Sequence, residues 1–154
     1  MANCKIVYKN DKGFWIAESF SQLFMHYIYK ELQKPQYIFS NKQELLEDLE
    51  DNINGYCNGY IGLNWEGLMS SAEEQTMIQV LQNVKISLQN KGASISVAEL
   101  KSIPTEDIHF QYILDKKPFP TSELIRVINA LIQMLQGTWT STNYEMDLNW
   151  RYNS

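Results

Sequence analysis

With 154 residues, 44% apolar and 20% charged side chains, the chain has the size and composition of one globular domain around a single core, neither disordered nor membrane-embedded. A net charge of −5, with 13 Lys and Arg spread along the chain in no block, argues against nucleic acid as a direct ligand, because phosphate binding needs clustered cations. The longest apolar run near the N-terminus, Phe14–Ala17, is far too short for a signal-peptide core or a membrane span, so the chain is expected to be cytosolic as encoded.

Cys4–Lys9 alternates apolar and polar residues and predicts a short strand, closed by turn chemistry at Asn10-Asp11-Lys12-Gly13. Ser19 and Gln22 have capping-box spacing and predict a helix start. Phe20, Leu23, Phe24, Tyr27, Ile28 and Leu32 then follow at helical spacing until Pro35 stops them. The same punctuation predicts a second helix from Ser40 and Gln43, carrying Leu45, Leu46, Leu49 and Ile53. A third is expected from Ser71 and Glu74, with Met77, Leu81, Val84 and Leu88 in one stripe. Ser96 with Glu99 opens a short fourth helix that Pro104 ends, and Thr105 followed by two acids is a plausible fifth start. The last helix runs from Ser122 to Gln136, with Gly137 as its stop; its wide apolar arc marks it as the expected central, most buried helix.

From Asn143 to Tyr152 the period changes to strict alternation, as in a strand with one wet face. The N-terminal strand or the Tyr60–Trp65 segment is its expected partner. No repeat, linker or composition break divides the chain. The expected fold is α+β: residues 1–154 as one domain, about five helices packed on a small antiparallel sheet that gathers both termini.

The stretch Asp51–Trp65, DNINGYCNGYIGLNW, has the look of a calcium loop. Setting Gly55 at position 6 of such a loop puts Glu50, Asn52 and Asn54 at ligand positions, but position 12 is then Ile61, with no oxygen to offer. Setting Gly59 there ends on Trp65 instead. A helix stop at Gly55 followed by a turn fits better. Just upstream, spacings of three and four put Glu44, Glu47, Asp48 and Asp51 on one exposed helix face. Such a face is either merely solvated or an electrostatic docking patch for a cationic partner.

No catalytic constellation emerges. His26 lies among Phe24, Tyr27 and Ile28, where a structural imidazole is expected; His109 follows an acidic pair, and nothing in the spacing joins the two as an acid–base couple. Cys4 and Cys57 are expected to be reduced, unbridged and, with the histidines, too widely spaced for a zinc site. The glycines form no phosphate loop, dinucleotide fingerprint or nucleophile elbow. The expectation is a non-enzyme without cofactor or metal. Trp15 and Trp65, each beside an element end, are the candidate aromatic anchors.

In its acidic, aromatic-rich character, its lack of catalytic motifs, and its segment Phe14-Trp15-Ile16-Ala17-Glu18-Ser19-Phe20 running into an aromatic helix, the chain resembles the small cytosolic immunity proteins of bacterial contact-dependent growth inhibition and related polymorphic toxin systems. The resemblance implies a stoichiometric inhibitor of a cognate toxin domain, commonly a nuclease with a basic groove. Glu44, Glu47, Asp48 and Asp51 would then steer and pair, with Tyr60 and Trp65 desolvating the centre of the contact. Two other classes stay open: an adaptor that dimerises or binds through its C-terminal strand, and a small enzyme using His109 and one carboxylate.

Overall fold

The computed structural model describes residues 2–56, 60–63 and 65–152, with the backbone alone at 60–62. β1 (Asn3–Val7) and β2 (Gly13–Ala17) form an antiparallel hairpin, Asn3 opposite Ala17 and Val7 opposite Gly13. Its turn is unusual. Lys9, Asn10 and Asp11 are all left-handed, at φ 45, 56 and 60°, a conformation L-residues adopt only at a cost. Ion pairs from Lys5 to Asp11 (3.1 Å) and from Lys9 to Glu74 (2.9 Å) hold it in place. Gly13 is obligatory, since a Cβ there would lie 1.8 Å from the Ile6 carbonyl oxygen. β2 was not foreseen as a strand, because Phe14–Ala17 reads equally as the lead into the next helix.

α1 (Glu18–Leu32) starts directly from β2 with Ala17 as N-cap and no side-chain cap. Ser19 and Gln22, the expected capping pair, lie buried inside the helix, where the Gln22 amide donates to the Ile53 carbonyl (3.1 Å) and to Asp107 Oδ2 (2.9 Å). Twelve of its fifteen residues are buried, so α1 is the central helix. The expected one, α7 (Thr121–Gln136), buries nine of sixteen and packs on α1 from one side.

α2 (Lys42–Ile53) lies against α1, again without the expected cap: the Ser40 N–H donates to Glu73 and the Gln43 amide to Glu47. Its end is as expected. Gly55, at φ +79°, closes a Schellman turn in which its own N–H donates to the Asn52 carbonyl and that of Tyr56 to the Asp51 carbonyl, both at 3.0 Å. β3 (Tyr60–Gly62) and the four-residue α3 (Trp65–Leu68) lead to α4 (Ser71–Asn90). The α4 capping box is Ser70 with Glu73, one residue before the expected pair, and Met77, Leu81, Val84 and Leu88 are buried as expected. β4 (Ser94–Ile95) precedes α5 (Val97–Lys101), capped by Ser96 as expected. α6 (Ile108–Leu114) is capped by Asp107, with Thr105 bracing the approach; β5 (Phe119–Pro120) runs into α7, which ends at left-handed Gly137.

The sheet order is β3-β1-β2-β6, where β6 is Tyr144–Glu145, with β4 and β5 forming a separate antiparallel pair. This is the expected α+β arrangement of helices on a small sheet that gathers both ends of the chain. Only the β1–β2 hairpin of the larger sheet is antiparallel. β3 and β6 return to it after helical excursions and pair in parallel, β3 on β1 and β6 on β2. Among the described residues there are seven helices; α6 answers the start expected at Thr105, and only the four-residue α3 had no counterpart among the expected ones.

The alternation of residues 143–152 survives as burial rather than as a ladder. Met146, Leu148 and Trp150 point inward, but only Tyr144 and Glu145 pair with a strand, and that strand is β2, neither β1 nor the Tyr60–Trp65 segment. Beyond them the backbone turns on itself, the Trp150 N–H reaching the Leu148 carbonyl while the indole reaches the Pro118 carbonyl at 3.0 Å. No helix is long and apolar enough to cross a membrane among the described residues.

Candidate functional site

Leu45, Leu49 and Ile53 seat α2 on α1, which turns the opposite side of the helix outward. Glu44, Glu47 and Asp51 are exposed there and Asp48 is half-buried, so the row foreseen from the spacing exists as one face. It does not stand alone. α3 brings Glu66 against it, and the five carboxylates line an open groove of about 540 Å³ floored by Leu63 and Leu68. Among the described residues Glu44, Glu47, Asp51 and Glu66 make no ion pair within 4.0 Å. The groove therefore keeps its negative field, which reaches about a Debye length, ~8–10 Å, at physiological salt. Glu66 was missed because it arrives on a four-residue helix too short for a periodic signal.

The aromatic members do not join the acids as expected. Trp65 is only 1% exposed: it opens α3 with its ring in the core, edge-on to Tyr8 at 6.4 Å, and its Nε1 has no hydrogen-bond partner among the described residues. A tryptophan so placed anchors α3 and cannot be a contact residue. Tyr60 contributes its backbone to β3, and its side chain lies outside the described residues. Trp15 is half-buried in a cavity of about 440 Å³ between β2 and the C-terminal segment, beside Arg151 and Tyr152. Among the described residues, the large apolar side chains that reach solvent include Ile38 before α2, Tyr56 after it, and Ile108 and Tyr112 on α6. A helical wheel of Ile108–Leu114 carries that signal, since Phe110, Ile113 and Leu114 claim the inner side and leave Ile108 and Tyr112 outside.

The side chains that resembled calcium ligands go separate ways. Glu50 accepts from the Tyr29 hydroxyl, the Asn52 amide nitrogen donates to the Asp48 carbonyl while its Oδ1 has no hydrogen-bond partner among the described residues, and Asn54 Oδ1 accepts from the Glu106 N–H. His26 is 8% exposed, its ring edge-on to Tyr27 at 4.9 Å; burial, reinforced by the charge of Lys30, lowers its pKa to about 4. His109 is exposed at the start of α6. Glu18 is its acidic neighbour, with a pKa raised by burial and by the charge of Asp107. Asp107 is fully engaged: Oδ1 accepts from the His109 and Phe110 N–H groups and Oδ2 from Gln22. The Cys4 thiol is free and buried, its pKa pushed up to about 11 by burial, and Cys57 lies outside the described residues.

Comparison of the chain with protein-family models, with curated proteins and with solved structures found no match.

Proposed function

We propose that this chain is an immunity protein of the bacterial cytoplasm, which neutralises a cognate toxin domain by stoichiometric occlusion. The observation that carries the proposal is the groove between α2 and α3, where Glu44, Glu47, Asp51 and Glu66 pair with no cation among the described residues. Unpaired carboxylates at helical spacing repel one another, so holding them together has a small cost to folding. That cost is offset if a cationic surface closes over them. A nuclease groove built to hold phosphate supplies such a surface, and complementary fields of this kind speed and orient encounter. Occlusion asks no bond chemistry of the inhibitor, and the resemblance to immunity proteins points the same way.

The test is association kinetics of the purified chain with its cognate toxin domain, encoded next to it, at several salt concentrations. Glu47→Lys with Asp51→Lys is expected to slow association by roughly tenfold or more at low salt and to flatten its salt dependence. Unchanged kinetics, in a variant that melts like the parent, would reject the groove as the docking face.

A further inference from the structure

We infer that the groove between α7 and residues 138–146, which follow it, binds a neutral saccharide. It holds about 440 Å³, the size of a small-ligand site. Ala130 and Met146 give it a buried apolar floor, and Trp139 and Tyr144 an aromatic wall. The frame is rigid. The Trp139 indole N–H donates to the Gly13 carbonyl and the Gly13 N–H to the Ser141 carbonyl, both at 3.0 Å, so β2 holds the segment at two points. Trp139 is wedged between the Phe14 and Tyr144 rings, edge-on to each, with centroids 5.9 and 5.5 Å away. Its one polar hydrogen is thus spent inside the fold, and what it offers the groove is ring surface. Tyr144, 43% exposed, keeps much of its ring open to solvent. Walls fixed in advance leave little ordering to oppose a ligand.

The charges of the groove select the ligand. Among the described residues that line it, Arg126 alone is charged. Glu123 answers that charge at 3.0 Å, and the same Nη1 donates to the Asp147 carbonyl at 3.2 Å. An anionic ligand would have to compete with Glu123, and a cationic one would meet no carboxylate. A neutral ligand is left, recognised by hydrogen bonds and ring contact. Asn129 and Gln133, one turn apart on α7, and Thr140 line the groove and make no side-chain hydrogen bond among the described residues. Each can both donate and accept, as sugar hydroxyls do, and the C–H face of a pyranose packs on an aromatic ring. Trp139 and Tyr144 meet at 88°, a corner rather than a slot. A corner suits a puckered ring with polar groups along its edge, whereas a flat base stacks on parallel faces. The groove shares no residue with the one between α2 and α3, and the inference does not rest on the proposed function.

Titration of the full chain with N-acetylglucosamine, maltose and cellobiose tests it without any toxin, read by tryptophan fluorescence and by amide NMR shifts. At least one sugar should saturate with a dissociation constant of about 0.1–1 mM, as a small neutral ligand with few contacts does. The shifts should cluster at residues 126–133 and 138–146. Tyr144→Ala and Gln133→Ala remove exposed side chains, so both variants should melt like the parent. Each should weaken binding about fivefold, the effect of one lost stacking contact or hydrogen bond. Gln79→Ala, which removes an amide on α4 outside the groove, should leave binding unchanged. No saturation by any of the three sugars up to about 50 mM overturns the inference. So does binding that maps to another face or ignores both groove variants. Adenosine binding there more tightly than every sugar also overturns it, and would assign the groove to a flat base.

Discussion

Replacing Gly55 by alanine should be far more damaging than the same change at the other left-handed glycines, because two costs coincide there. The first is conformational. At φ +79° a side chain costs about 1–2 kcal/mol, and Gly92 (+90°) and Gly137 (+78°) share this term. The second belongs to Gly55 alone: a Cβ would lie 2.6 Å from Asp107 Oδ2, whereas nothing lies within 4 Å at Gly92 or Gly137. The carboxylate has no freedom to yield, since it accepts from the His109 and Phe110 N–H groups at 3.0 and 3.2 Å and from Gln22 at 2.9 Å. Displacing it forfeits a helix cap and a buried hydrogen bond, about 1 kcal/mol each. Gly55→Ala should therefore cost about 3–4 kcal/mol and the controls about 1–2, or about 6–16 °C against about 2–8 °C in Tm for a chain of this length. Urea unfolding followed by tryptophan fluorescence measures all three. A second check is coupling: with Asp107→Ala already in place, the extra penalty at Gly55 should largely vanish. Equal losses at the three glycines would refute the reasoning.

Burial keeps His26 neutral, with a pKa near 4 against 6.5 for a free imidazole. Between those values the unfolded chain binds the extra proton, so stability falls as the pH drops through this window, by up to about 3 kcal/mol; His26→Phe should flatten urea midpoints measured from about pH 6.5 to about pH 4.5. Ser70→Ala should cost about 1 kcal/mol and Ser71→Ala less than about 0.5, since only Ser70 caps α4; calorimetry of the pair checks the one-residue shift of that cap. At Asn10, exposed and left-handed at φ 56°, valine should unfold the chain more easily than glycine by about 1–2 kcal/mol. Thermal melts of Asn10→Gly and Asn10→Val decide it.

What was legible from the residues depended on whether the deciding interaction was local. The stripe on α4, the stops at Gly55 and Gly137 and the Ser96 cap follow from spacing and backbone chemistry within a few residues, and all are present. Ser19 with Gln22 and Ser40 with Gln43 satisfy the same local rule and fail, because distant groups compete. Ile53 and Asp107 claim the Gln22 amide, 31 and 85 residues away in the chain, and Glu73 claims the Ser40 N–H. The site divides along the same line. Glu44, Glu47, Asp48 and Asp51 share a face because they share a helix. Glu66 joins them, and Trp65 leaves the surface, through the tertiary placement of α3, which no periodicity announces.

Composition also hides which of the 18 acids are available to a partner. Five glutamates accept from tyrosine hydroxyls: Glu31 from Tyr37, Glu50 from Tyr29, Glu74 from Tyr8, Glu99 from Tyr27 and Glu106 from Tyr56. For Tyr8 and Tyr27, burial first and the carboxylate second push the phenol far above its ordinary range. Burial alone would raise Glu74 and Glu99 too, but the phenols and the Lys9 and Lys91 ammonium groups outweigh it and hold both carboxyls below theirs. Glu31, Glu74 and Glu99 also meet the Lys34, Lys9 and Lys91 ammonium groups, so these three are struts whose charge is already answered, while Glu50 and Glu106 stay exposed. Among the described residues Glu44, Glu47, Asp51 and Glu66 enter no such pair. Mutual repulsion would scatter them on a flexible segment, but α2 is pinned by Leu45, Leu49 and Ile53 inside and by the Gly55 turn at its end. Their geometry is fixed before any partner arrives, so little ordering entropy is left to oppose association. A charged row on a frayed helix would lose that advantage, so under the proposed docking role Gly55→Ala should weaken binding of the toxin domain as well as stability.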